Sequence, residues 1–315
     1  MRGDPRVGPL AVAAVLAQAC GGGSAHQSPL DGGGAGPGDD EGGVQPADAS
    51  VDAGSGDGAS GDEPDGATAS RCQITPANAT CQHQTTMLSG RTVAYETPLG
   101  SAPAAGWPAV VYFQGSLVPG EDAFSAASSA PFDQYDLTRT VAALLDGGYV
   151  VIAPDAAGNG TTYWETNIPP YAQSWSGCPD DVLMQSLLGS LSTGTFGPID
   201  VTRLYAMGIS SGGFMTSRMA VSYQGKFRAL ADHSGSYATC SATCTVPTPL
   251  PADHPPTLFL HGDQDDVVPL SAIQPYIDAL TAEGHEAQLV TDVDAGHQWL
   301  PEGPQVIPAW FDSHP

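Results

Sequence analysis

Three short stretches of this 315-residue chain carry side chains suited to nucleophilic chemistry at a carbonyl. The first is Gly208-Ile-Ser-Ser-Gly212, a G-x-S-x-G that follows an apolar β-rich run and opens an amphipathic one. In a chain with 39 glycines the pentapeptide alone is weak evidence, because chance supplies it readily. Its position is informative: a nucleophilic serine must stand clear of a sheet on a tight strand-to-helix turn, and flanking glycines permit that backbone. Ser210 is the candidate nucleophile. A serine needs an imidazole to take its proton and a carboxylate to orient that imidazole, each at the end of a later strand and in that order. After Thr257-Leu-Phe-Leu260 comes His261-Gly-Asp-Gln-Asp-Asp-Val-Val-Pro269, which offers Asp263, Asp265 and Asp266. After the run ending at Val293 comes Asp294-Ala-Gly-His-Gln-Trp299, which offers His297.

The other seven histidines have less to recommend them as the base. His26 and His314 lie near the termini, His83 and His254 in connecting segments, and His285 in a polar loop, all expected to be solvated. His233 follows a strand and could face a pocket; His261 reads as a turn residue with a local hydrogen bond. Two backbone N–H donors must also meet the negative charge that develops on a carbonyl oxygen. Ser211, next to the nucleophile, supplies one. The other belongs in Phe113-Gln-Gly-Ser-Leu-Val-Pro-Gly120 just after an early strand, where Ser116 is preferred to Gly115.

These stretches require a scaffold of parallel strands with helical crossovers. From residue 91 apolar runs at 110–113, 149–153, 204–209, 229–232, 257–260 and 288–293 alternate with helix-length segments at 137–145, 181–191, 211–223, 271–283 and 304–311. Runs that are apolar throughout suit strands covered on both faces. Asp180 or Asp181, after Pro179, is placed to cap the second of those helices. The segment from Ala156 to Pro179 has no period and is rich in Gly, Asn, Pro and Trp, the character of a binding loop.

With that pattern in place, a resemblance becomes specific. His261-Gly-x-x-Asp265-x-x-Val-Pro269 resembles the acid-bearing turn of many α/β-hydrolases and implies that Asp265 is the triad acid, with Asp266 the nearest substitute. Gly296-His297-x-Trp299 and Gly208-Ile-Ser-Ser-Gly-Gly-Phe-Met-Thr216 resemble the secreted polyhydroxybutyrate depolymerase and feruloyl esterase group over about residues 84–312. The resemblance implies an α/β-hydrolase fold, a mostly parallel central sheet with helices on both faces, and a serine esterase working without metal or organic cofactor. Relatives often carry His-Gly where this chain has Gln114-Gly115; a backbone donor does not need that histidine. Trp299 beside the base, with Trp164, Tyr171 and Trp175 in the long loop and Phe214 after the elbow, are the expected walls of an apolar substrate site.

Composition bounds the setting. The chain has 34 carboxylates against nine lysines and arginines, and Lys226 is its sole lysine, which excludes a phosphate backbone as partner and disfavours an anionic membrane surface. Neutral esters are expected substrates, with an acidic product repelled. Residues 1–20 carry two arginines, an apolar stretch and then Cys20, a signal-peptide layout resembling a bacterial lipoprotein in which Cys20 is lipidated. Residues 21–70 hold 15 of the 39 glycines and ten of the carboxylates but no aromatic residue, and read as a disordered linker. Residues 71–315 form the catalytic domain. The expected location is secreted or at the outer surface, where disulfides form; Cys72 with Cys81 is the favoured pair, pairing among Cys178, Cys240 and Cys244 is open, and a zinc site at Cys240 and Cys244 lacks a second ligand pair. Nothing but four residues follows the last helix, so soluble or amorphous esters are expected before crystalline polymer. Rival readings are a serine peptidase of prolyl-oligopeptidase type and a surface lipoprotein that keeps the fold as a binding module. Oligomeric state is not encoded in any of these features.

Overall fold

The computed structural model describes residues 69–158, 160–240 and 245–315. The leader over residues 1–20 with Cys20, nearly all of the linker, and Cys244 lie outside the described residues. An eight-stranded sheet runs through the domain in the order β11-β10-β9-β8-β5-β7-β4-β3. The strands are β3 (Gln84–Leu88), β4 (Arg91–Glu96), β5 (Trp107–Phe113), β7 (Val150–Pro154), β8 (Ile199–Ile209), β9 (Ala229–His233), β10 (Thr257–Gly262) and β11 (Ala287–Asp292). β5 and the five strands β7 to β11 pair in parallel, and β3 and β4 add an antiparallel edge. This is the α/β-hydrolase architecture expected from the motifs.

The five helices are α1 (Gln134–Asp146), α2 (Pro179–Ser190), α3 (Ser211–Ser222), α4 (Gln274–Ala282) and α5 (Gly303–Asp312). Helix α1 buries Leu137, Val141, Leu144 and Leu145, the spacing of one helical face, beside Trp310 and Phe311 of α5. Helices α2 and α3 cover the opposite face with Leu183, Met184, Leu187, Met215 and Met219. The inner strands are therefore buried on both sides, and β5 shows it residue by residue: Val110 and Tyr112 enter the first layer, Ala109, Val111 and Phe113 the second. That is why those runs are continuously apolar instead of alternating.

Sequence missed the antiparallel edge strands β3 and β4 and three short polar strands. β1 (Cys72–Ile74), β2 (Asn78–Cys81) and β6 (Ser125–Ala127) form a separate antiparallel sheet, in which Cys72 lies opposite Cys81 and the two are joined by a disulfide. Such strands carry too few apolar residues to show a period. Cys178 is free and buried, and Cys240 is disulfide-bonded, so Cys240 is not a metal ligand.

The expected capping by Asp180 or Asp181 is corrected. The cap position belongs to Cys178, whose sulfur accepts from the Asp181 N–H at 3.4 Å. Asp180 instead forms a buried ion pair with Arg91 at 2.6 Å and accepts from the Glu165 N–H at 2.8 Å, while Asp181 reaches back to the Gly177 N–H at 2.8 Å. Both carboxylates latch the long loop to the sheet and helix.

Candidate active site

Neighbouring strands β5 and β8 send their connections to opposite sides, so a crevice opens at their carboxyl ends, where open α/β sheets place ligands. Ser210 stands there between β8 and α3, at φ 59° and ψ −123°. Its N–H donates to the His233 carbonyl at 3.0 Å and its carbonyl accepts from the Phe214 N–H at 3.1 Å, which fix the turn. Gly208 and Gly212 allow it: a Cβ on either would be driven into the backbone, that of Gly208 into Gly212 and that of Gly212 into the Phe113 and Gln114 carbonyls. Sequence placed glycine there for this reason, and the geometry shows which backbone groups demand it.

His297 and Asp265 meet from the turns after β11 and β10. His297 Nδ1–H donates to Asp265 Oδ2 at 2.7 Å. Because an ionised carboxylate only accepts, Nδ1 carries the proton and Nε2 is left with its lone pair. The other carboxylate oxygen accepts the N–H groups of Val267 at 3.0 Å and Val268 at 2.8 Å. Burial opposes ionisation of Asp265, but the His297 hydrogen bond and charge, the Val268 N–H and His261 outweigh it and hold the carboxyl below the usual carboxylate range. Asp263 and Asp266, the alternatives in the same turn, are exposed.

Two further histidines brace this group without reaching the pocket. His261 Nε2–H donates to the Val268 carbonyl at 2.6 Å, the local turn bond expected of it. His233 accepts the Leu300 N–H at 2.9 Å and lies against Trp299 with ring centroids 4.7 Å apart. Burial, then the neighbouring His261 and His297, push His233 well below the ordinary imidazole range, so it stays neutral. His254, expected to be solvated, is instead buried, with its ring nitrogens on the Pro255 carbonyl at 2.8 Å and the Tyr276 hydroxyl at 2.7 Å. A connecting segment can be buried when its polar groups find partners, and here they do.

Ser210 and His297 line one cavity. Tyr112 and Ile209 form its strand side, Gly115, Ser116 and Val118 come from the loop after β5, Phe132 and Gln134 from the entry to α1, and Trp299 from beside the base. Ser211 is the first residue of α3, where backbone N–H groups lack helical partners. Gly115 and Ser116 follow one another along the loop and both line the cavity. Buried Gln114 ties that loop down, its amide donating to the Gly160 carbonyl at 2.7 Å and accepting from the Ala156 N–H at 3.1 Å.

Of the expected aromatic walls, Trp299 is at the cavity. Trp164 and Trp175 are not: Trp164 is fully buried against Phe113, its indole donating to the Gln114 carbonyl at 3.1 Å, and Trp175 packs on the Arg218 guanidinium and donates to the Tyr223 hydroxyl at 3.1 Å. Both have core and polar partners that hold the long loop in place, so its tryptophans shape the site from behind. Tyr112, Phe132 and Gln134 were missed. They sit in a strand and in a helix entry, where no local sequence signal marks a pocket.

Over 259 residues the chain is 48% identical to the poly(3-hydroxyoctanoate) depolymerase of Pseudomonas fluorescens, an alignment covering 78% of this chain and 92% of that enzyme. The chain belongs to the poly(3-hydroxyoctanoate) depolymerase family. It is a hydrolase of the α/β-hydrolase esterase and depolymerase type. The prolyl oligopeptidase family model matches residues 241–312, the part of this depolymerase-family chain that carries Asp265 and His297. Among solved structures, esterase PE8 superposes with TM-score 0.50 at 20% identity over 70% of this chain and 97% of its own. The Bacillus cereus carboxylesterase gives 0.50 at 12% identity over 71% and 94%, and the Pyrococcus horikoshii acylaminoacyl peptidase 0.51 at 14% over 74% and 41%. Those similarities show a shared fold and extend no further.

Proposed function

We propose that this family member is a serine carboxylic-ester hydrolase acting outside the cytoplasm on neutral oligoesters of hydroxyalkanoates, through an acyl-enzyme on Ser210. The observation that carries the reading is the His297–Asp265 hydrogen bond, which leaves His297 Nε2 free to accept a proton beside a serine held on a strained turn. In the first step the Ser210 oxygen attacks the ester carbonyl as His297 takes its proton, and Asp265 stabilises the imidazolium. The N–H groups of Ser211 and Ser116 meet the oxyanion. The alcohol leaves with the proton from His297; water then gives a proton to the same imidazole, attacks the acyl carbon, and releases the acid and Ser210.

The substrate class follows from three supports. The related enzyme is named for a polyester of 3-hydroxyoctanoate. The cavity beside Ser210 is lined mainly by apolar side chains. The chain carries a formal charge of −25, which favours a neutral ester over an anionic one and expels the carboxylate product. Feruloyl esters are the other ester class this site could accept. The disulfide between Cys72 and Cys81 suits an oxidising compartment, and a lipidated Cys20 would tether the domain there.

A second reading, a peptidase, is favoured by the family match over residues 241–312. A panel of hydroxyalkanoate oligomers, a feruloyl ester and matched peptide amides separates the three. Turnover of the oligoesters with little on amides is expected, and Ser210→Ala should lower it by roughly 10⁶-fold. Turnover of amides alone would favour the peptidase, and failure to turn over any ester or amide would favour a non-catalytic binding module.

A further inference from the structure

We propose that Phe132 is the size-selecting wall of the acyl pocket, held across the mouth of the site by a strained backbone clamped to the segment that carries His297. The inference rests on the reading of Ser210 as nucleophile and goes beyond it by naming what sets acyl length. Phe132 and Asp133 are consecutive non-glycine residues in the left-handed region, at φ 58° and 48°. Such a pair costs free energy that other contacts must supply, and strain of this kind collects at ligand clamps.

Those contacts are on the His297 side. The Phe132 carbonyl accepts the Trp299 N–H at 3.0 Å, and the Asp133 carboxylate accepts from the Gln298 side chain. The knuckle is thereby fastened to the two residues that follow the base. Its product is the placement of the Phe132 ring, edge-on to the His297 ring with centroids 6.4 Å apart and lining the same cavity as Ser210.

The cavity is narrow, with about 30 Å³ for a water-sized sphere inside about 420 Å³ of empty space that opens to solvent on one side. At that width an alkyl chain of several carbons must displace a wall or run out toward the open side. Most walls cannot move. Tyr112 and Ile209 are buried in the sheet, Trp299 is packed on His233, and His297 is pinned by Asp265. Phe132 is half-buried and is the largest wall side chain with room to turn. The cavity borders both Ser210 and Ser116, and it is the acyl group, not the departing alcohol, that is assigned to it.

The test is a series of 4-nitrophenyl esters from acetyl to dodecanoyl, which varies the acyl chain under a constant leaving group, run beside acetate esters of alcohols of increasing length. In Phe132→Ala and Phe132→Leu the ratio of kcat/KM for octanoyl over acetyl ester should rise, by tenfold or more in the alanine variant, and in Phe132→Trp it should fall. The alcohol series should keep its profile. An unchanged acyl profile, a shift in the alcohol series instead, or loss of all turnover in both smaller variants would overturn the proposal. No turnover of any ester by the unmodified protein would count against the Ser210 reading instead.

Discussion

Ser210, His297 and Asp265 are each held by backbone groups as much as by one another. The serine sits at positive φ because its N–H is bonded to the His233 carbonyl and the Phe214 N–H to its own. Asp265 is held by two valine N–H groups, and its remaining oxygen decides which nitrogen of His297 bears the proton. If that tautomer control is what Asp265 contributes, Asp265→Asn should reduce kcat for a soluble ester by roughly 10³–10⁴-fold while KM changes little, since an amide can donate to Nδ1 and leave the wrong nitrogen protonated. Steady-state kinetics over pH 6–9 check this. A loss under tenfold would show that Asp265 is not the orienting acid. Sequence singled out these three residues because each lies in a turn that follows a strand-length run. It could not reach Phe132, whose role depends on a left-handed pair that glycine would ordinarily occupy.

At the scale of elements, the site depends on loops fastened to rigid parts. The segment from 156 to 179 is the clearest case: Asp180 at the start of α2 pairs with Arg91 of β4 and with the Glu165 N–H, Gln114 holds Gly160, and Trp164 and Trp175 bury their rings beneath. The Arg91–Asp180 pair is almost wholly enclosed, with side-chain exposures of 10% and 0%. Removing one partner strands the other charge, so Asp180→Ala should destabilise the domain by about 3–5 kcal/mol, whereas replacing both with apolar side chains of similar volume should recover most of that loss. Urea unfolding of the single and double variants decides it, and a double variant no better than the single would contradict the ion-pair account. The inner strands and the helices were legible in place and order, with ends that differ by up to five residues. The long loop was legible as a loop, but not its buried latches, because an aspartate after a proline reads locally as a cap whether or not a distant arginine faces it.

Across the whole molecule, the acidic composition hides a set of buried neutral groups that respond to pH. Burial pushes His254 down to about 4, partly opposed by its bond to the Pro255 carbonyl, against an ordinary imidazole near 6.5. Between those values the unfolded chain takes up a proton that the folded one refuses. The stabilisation from this group is therefore complete above about pH 6.5 and is lost as pH falls toward 4, amounting to about 3 kcal/mol. Measured against His254→Gln, which does not titrate, the stability advantage of the parent should shrink by that order between pH 7 and pH 4. A gap independent of pH would mean that His254 is not buried neutral. Composition pointed to neutral substrates. It could not show this, since a histidine in a connecting segment carries no mark of the Tyr276 hydroxyl that will meet it.

The central claim is that Ser210 is the nucleophile of an ester hydrolase. Its most direct measurement is the reaction of the intact chain with a serine-directed alkyl phosphonate, followed by mass mapping of the adduct. One equivalent on the peptide containing Ser210, loss of ester turnover in proportion to labelling, and no adduct in Ser210→Ala are the predicted results. Labelling of another residue, or an unlabelled protein that still turns over esters, would contradict the account.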